Sequence, residues 1–143
     1  MADPIDAPSP DAAGPILVLL VDDQRFVGLV VTRMLATEKD IELRCCESAA
    51  DAVDLAVAIG PALILQDLLM PGIYGLTLLA LYRTHPATAG TPVVVLSGND
   101  DAETRTQAQA AGATDYLVKV PTKDDLIACI RRHAVIASRG IYP

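Results

Sequence analysis

The sequence predicts a doubly wound α/β domain with a five-stranded parallel sheet in the flavodoxin-like order 2-1-3-4-5. Three observations lead there. Five short segments rich in β-formers alternate with five longer segments of helical character. Four of the short segments hold near-continuous apolar runs, the pattern of parallel strands covered on both faces. Five strands also suit the flavodoxin-like order better than the six-stranded alternative. Crossovers between parallel strands are right-handed, which leaves few topologies to consider. With 143 residues, 52% of them apolar, the chain is long enough for one core and is read as a single domain.

The strands are "ILVLLV" (16–21), "IELRCC" (41–46), "ALILQ" (62–66), "PVVVLS" (92–97) and "DYLVK" (115–119). The second carries Glu42 and Arg44 and reads as an edge strand. The first helix, about 25–37, has Phe26, Leu29, Val30, Arg33 and Met34 at helical spacing. The second follows Ser48, with Asp51 three residues on as in a capping box, and carries Val53, Ala56 and Val57. The third runs from about Leu76 to Arg83. The fourth runs from about Asp101 to Ala111 and stops at Gly112, a C-cap signal. The fifth begins near Thr122, with Asp125 three residues on, and continues through Leu126, Ile127 and Ile130 towards Ala134 and Val135. Residues 1–15, "MADPIDAPSPDAAGP", read as a disordered lead without the basic and apolar regions of a targeting signal. The domain is expected over 16–137, with 138–143 as a tail or the start of a linker.

Composition narrows the function. The net charge of −7 argues against direct binding of a nucleic-acid backbone by this chain alone. The longest apolar run is too short to span a bilayer, so a cytoplasmic protein is expected. Cys45, Cys46 and Cys129 lack metal-ligand spacing and read as reduced thiols, with Cys45 and Cys46 on opposite faces of a strand. His85 and His133 read as surface-helix residues that form no metal cluster.

The polar exceptions fall at the carboxyl ends of strands. Asp22 and Asp23 follow the first strand, Asp67 the third; Ser97 ends the fourth and Lys119 the fifth. In an open α/β sheet these ends share one edge, where ligands bind. The order 2-1-3-4-5 makes the first and third strands neighbours, which brings Asp22, Asp23 and Asp67 together. Three close carboxylates repel one another unless a cation relieves them, and an oxygen-only set suits Mg²⁺. A carboxylate can act as a nucleophile and form an aspartyl phosphate. Lys119 can then neutralise phosphoryl charge, and Ser97 can donate to a phosphoryl oxygen. Pro71-Gly72 forces a turn just after Asp67, leaving room for a donor.

On "VDD" (21–23), "QDLLMPGIYGLTLL" (66–79), "VVLSG" (94–98) and "AGATDYLVK" (111–119), the chain resembles the CheY-like receiver domain of bacterial two-component response regulators. The resemblance implies that Asp67 accepts a phosphoryl group from a histidine kinase or phosphotransfer protein. It implies Mg²⁺ held by Asp22, Asp23, Asp67 and the backbone carbonyl of Leu69. It implies a switch pair, Ser97 and Tyr116, and a surface around the fourth helix, fifth strand and fifth helix that binds a partner or a second copy after phosphorylation. Two departures stand out. The lysine is followed by Val120 and then Pro121, whereas most of the family has a cis proline directly after it. Gln66 is polar where an apolar residue is usual. Both departures, with the "LQDLLMPG" and "LTLLALYR" strings, look similar to WspR-type receivers, which control a diguanylate cyclase. A non-phosphorylated interaction module on the same fold is the alternative. An FMN carrier is disfavoured, because two aspartates occupy the loop that would hold the FMN phosphate. The fourth helical segment lacks large aliphatic side chains and is expected to be the least firmly held.

Overall fold

The computed structural model describes residues 14–141, and side chains through residue 134. The expected lead therefore lies, apart from Gly14 and Pro15, outside the described residues. Strands β1 (Ile16–Val21), β2 (Ile41–Cys46), β3 (Leu63–Asp67), β4 (Val93–Ser97) and β5 (Asp115–Val118) alternate with helices α1 (Arg25–Leu35), α2 (Ala52–Ile59), α3 (Gly75–Thr84), α4 (Ala102–Ala110) and α5 (Lys123–Ile141). The sheet is parallel throughout, in the order β2-β1-β3-β4-β5. The predicted fold class is the observed one, and β2 stands at an edge as its charges suggested. The last helix continues to residue 141, past the expected boundary at 137.

Alternation along the strands builds two cores. Leu19, Val21, Ile64, Val93 and Val95 face α2, α3 and α4, joined by Leu78, Leu79, Tyr82 and Ala108. Val18, Leu20, Leu63, Leu65, Val94 and Leu96 face α1 and α5, joined by Val27, Val31, Leu126 and Ile130. Every residue of β3 and β4 is buried, which is why these strands read as unbroken apolar runs. Each fully buried Leu, Ile or Val contributes about 1.5–3 kcal/mol relative to its exposed state.

Three local readings need correction. In α1 the buried stripe is Val27, Val31 and Leu35, while Phe26 and Leu29 are 68% and 64% exposed. Both sets recur at helical spacing, and the sheet covers the set rotated one residue on. Ser48 makes no side-chain cap: the Asp51 N–H donates to the Ser48 carbonyl, closing a 3₁₀ turn over Ala49–Asp51 before α2. His133 is not a free surface residue. Its ring lies 2.9 Å from Asp115 Oδ2, with its side chain only 16% exposed.

Other end signals hold. Thr122 Oγ1 accepts from the Asp125 N–H at 3.1 Å. Helix α4 ends in a Schellman arrangement, with Ala113 N–H on the Ala108 carbonyl and Gly112 N–H on the Gln109 carbonyl. Gly112 takes φ +107°, a conformation other residues rarely adopt. As expected from their adjacency in a strand, Cys45 is exposed and Cys46 buried.

Candidate functional site

Four strand ends converge at the carboxyl edge of the sheet. Val21 pairs with Gln66 across β1 and β3, so the next residues, Asp22 and Asp67, emerge side by side. Both are 3% exposed, and Asp23 is half-buried beside them. One carboxylate oxygen from each of Asp22, Asp23 and Asp67 lies within 4.8 Å of the others. Lys119, which follows β5, reaches in from the far edge. Its Nζ lies 3.1 Å from Asp67 Oδ1, 3.0 Å from Asp22 Oδ2 and 3.0 Å from Gln24 Oε1.

The charge count is uneven: three carboxylates face one ammonium. Burial, then the neighbouring Asp22 charge, pushes the Asp67 carboxyl above its ordinary pKa, and Lys119 only partly opposes this. Lys119 responds in the opposite sense to its own burial, which would lower it. Its contacts with Asp22 and Asp67 outweigh that and hold its pKa above the usual value. Asp22 Oδ1 accepts from the Gln24 N–H at 2.8 Å. Asp22 Oδ2 accepts no hydrogen bond and is the only buried side-chain N or O in that state among the described residues. Lys119 Nζ is close enough to pair with it but lies off the hydrogen-bond direction. Three carboxylates that share one ammonium, in an all-oxygen cluster of net negative charge, fit a hard divalent cation such as Mg²⁺.

The other predicted residues surround this cluster. Ser97 is buried at the end of β4, one residue beyond the Leu96 that pairs with Asp67. Its Oγ accepts from the Asn99 N–H, and its carbonyl accepts from the Lys119 N–H. Tyr116 is 9% exposed, and its hydroxyl donates to the Asn99 carbonyl. Leu69 is 71% exposed, and its N–H donates to Asp67 Oδ1 at 3.4 Å. Lys119–Val120 is the only cis peptide among the described residues, so the cis bond directly follows the lysine although no proline stands there.

Three supporting residues escaped the sequence reading. Gln66, read only as a departure, is fully buried. Its Nε2 donates to the Asp67 carbonyl at 2.9 Å, and its Oε1 accepts from the Tyr82 hydroxyl at 2.7 Å. That pairing satisfies a polar side chain in the core and fixes the backbone at Asp67. Gly75 opens α3 directly against this backbone; a Cβ there would collide with the Asp67 carbonyl oxygen. Gln24 shares Lys119. The "PG…G" spacing hinted at Gly75, whereas nothing local marked the Gln66–Tyr82 pair, 16 residues apart.

Comparison with known proteins agrees with this geometry. The response regulator receiver domain family matches residues 18–131. The chain is 34% identical over 119 residues to the cell cycle transcriptional regulator CtrA of Caulobacter vibrioides, covering 83% of this chain and 49% of CtrA. It is 30% identical over 115 residues to the regulatory protein AtoC of Escherichia coli, covering 80% of this chain and 24% of AtoC. A response regulator from Desulfuromonas acetoxidans superimposes with a TM-score of 0.73 at 30% identity, covering 81% of this chain and 94% of that one. The chemotaxis protein CheY4 of Vibrio cholerae shares the fold, with a TM-score of 0.78 at 24% identity over 84% of this chain and 99% of that one. The chain belongs to the response regulator receiver family. It spans about half the length of CtrA and a quarter of AtoC. Among the described residues, no helix is long and apolar enough to cross a membrane.

Proposed function

We propose that this receiver is a phosphorylation switch in which Asp67 accepts a phosphoryl group from the phosphohistidine of a histidine kinase or phosphotransfer protein. The observation that carries the reading is the convergence of buried Asp67 and Asp22 with half-buried Asp23 on one ammonium, Lys119, at the carboxyl edge of the sheet. Asp22, Asp23 and Asp67, with the Leu69 carbonyl, would hold Mg²⁺, which supplies charge neutralisation for the phosphoryl oxygens. An Asp67 carboxylate oxygen attacks phosphorus as the phosphorus–nitrogen bond breaks, and the histidine departs with the electron pair. Lys119, already 3.1 Å from Asp67 Oδ1, moves its contact to a phosphoryl oxygen. Ser97 turns its hydroxyl from Asn99 to another phosphoryl oxygen, and Tyr116, bonded to the same Asn99, follows. The protein's own chemistry is then limited to self-phosphorylation and hydrolysis of the acyl phosphate.

The rim of the site supports a protein donor. Phe26, Leu29, Leu69, Tyr74 and Val120 are exposed apolar residues on segments that follow the strand ends. Solvent-facing aromatic and aliphatic side chains around a buried nucleophile suit docking by another protein. The output differs among relatives: the names describe transcriptional regulation for CtrA and methylesterase activity for a Myxococcus xanthus relative, 34% identical over 111 residues. The strings that look similar to those of WspR-type receivers suit a diguanylate cyclase output here, in the cytoplasm, with homodimerisation on phosphorylation.

Intact mass after incubation with Mg²⁺ and acetyl phosphate tests the assignment. One phosphoryl group is expected on the wild type, none without Mg²⁺ and none on Asp67→Asn. Addition that persists in Asp67→Asn would place the acceptor elsewhere. If neither a phosphoryl group nor beryllofluoride binds, the protein is an interaction module.

A further inference from the structure

A second cluster lies far from Asp67 in the chain and at the opposite end of its strand. Asp115 opens β5, whereas Lys119 follows that strand's carboxyl end. Cys129 and His133 are four residues apart on α5 and so share one helix face. Asp115 Oδ2 lies 2.9 Å from His133 Nε2 and 3.8 Å from Cys129 Sγ. One ligand atom from each of the three residues lies within 4.8 Å of the others. Cys129 is 3% exposed, yet its sulfur points at a carboxylate rather than only into aliphatic surroundings. That contact is long even for sulfur, so the buried thiol has a weak partner.

We propose that Asp115, Cys129 and His133 form a site for a borderline-soft divalent cation of the zinc class. The donor set is one nitrogen, one sulfur and one oxygen, which favours such an ion over Mg²⁺ or Ca²⁺. Tetrahedral bonds of about 2.0–2.3 Å place ligand atoms about 3.3–3.7 Å apart. The observed separations of 2.9 and 3.8 Å fall on either side of that range, so small side-chain movements complete the site. Carboxylate and thiolate together balance the two positive charges. On binding, Cys129 loses its thiol proton to solvent, neutral His133 donates its Nε2 lone pair, and water fills the fourth position. The second Asp115 oxygen accepts from the Tyr116 N–H at 2.8 Å, which fixes the carboxylate's orientation. Arg132 approaches Asp115 Oδ2 to 3.8 Å, but its side chain is 63% exposed and can swing into solvent. A bound ion would join the edge strand to α5 one residue before Tyr116.

Cobalt(II) titration in a Cys45→Ser background, which removes the exposed thiol, tests the site. With excess Mg²⁺ filling the acidic pocket, the thiolate-to-cobalt charge-transfer band and visible absorption of tetrahedral strength are expected to saturate at one equivalent. Zinc should bleach both. Cys129→Ser should abolish the charge-transfer band. His133→Gln, a less buried change, should weaken binding at least tenfold. Asp67→Asn should alter neither, since the acidic pocket offers only oxygen. Three results would each overturn the site: no thiolate band at saturating cobalt, a band surviving Cys129→Ser, or unchanged affinity in folded His133→Gln. The cluster would then be only a hydrogen-bonded contact tying α5 to β5.

Discussion

Helices α4 and α5 pack on opposite faces of the sheet beside the same edge strand, and they are held by different forces. Helix α5 buries Leu126, Cys129, Ile130 and Ala134 against the sheet, whereas α4 buries Ala108 alone. A cleft of about 340 Å³ is lined by Arg105 and Gln109 of α4 and Tyr116 of β5. Polar groups define the ends of α4, through the Asp101 cap and the Gly112 turn, and Arg105 stacks 4.6 Å from the Tyr116 ring centroid of β5. Apolar area does not link α4 to Asp67, whereas Tyr116 and Asn99 lie on a polar route towards it. Both belong to the hydrogen-bond chain that begins at Ser97. If Asp67 is phosphorylated as proposed, the weakly buried helix is the one expected to respond.

The largest expected difference is in core truncation. Leu126→Ala should cost about 2–5 kcal/mol, because a fully buried side chain leaves a cavity. Ala108→Gly in α4 should cost about 1 kcal/mol, chiefly through helix propensity. Urea melts of both variants check this, and equal losses would break the contrast.

Capping sharpens it. Asp101 Oδ1 accepts from the Thr104 N–H at 2.7 Å, and Thr122 does the same service for α5. Each alanine substitution should remove about 1 kcal/mol of local helix stability. Amide exchange should accelerate along all of α4 in Asp101→Ala, but only in the first turn of α5 in Thr122→Ala. Uniform acceleration along α5 would show that its packing holds no better.

The smallest effect concerns acid. Arg131 on α5 lies 2.8 Å from Glu38 and 2.7 Å from Asp40, and its hydrogen bonds hold both carboxyls below their usual pKa. Because the folded values are depressed, the stabilisation is complete above the unfolded carboxylate range. It is lost as pH falls through the folded values. Arg131→Met should flatten that part of the stability–pH curve, with a small loss of stability at neutral pH that disappears in strong acid. An unchanged acid slope would remove this tie from the account of α5.

The sheet was legible because strands covered on both faces are written as unbroken apolar runs. Leu63 to Leu65 and Val93 to Leu96 leave little choice. The site was legible for a related reason: Asp22, Asp67, Ser97 and Lys119 are polar residues at the exits of such runs, and topology brings the exits together. Side-chain direction was less so. Helix α1 carries two apolar stripes, and only packing against the sheet selects Val27, Val31 and Leu35 over Phe26 and Leu29. Pairings between distant elements left no local mark at all. Gln66 with Tyr82, and Asp115 with Cys129 and His133, are brought together by the fold alone.

The central claim is that chemistry at Asp67 is read by α4 and the β5 edge while α5 stays fixed. Amide exchange with and without Mg²⁺ and beryllofluoride, on wild type and Asp67→Asn, tests it most directly. The account predicts that loading changes exchange in residues 98–113 and around Tyr116, leaves the Leu126–Ala134 stretch unaltered, and does nothing in Asp67→Asn. Equal changes in α4 and α5, or none in α4 when Asp67 is loaded, would contradict it.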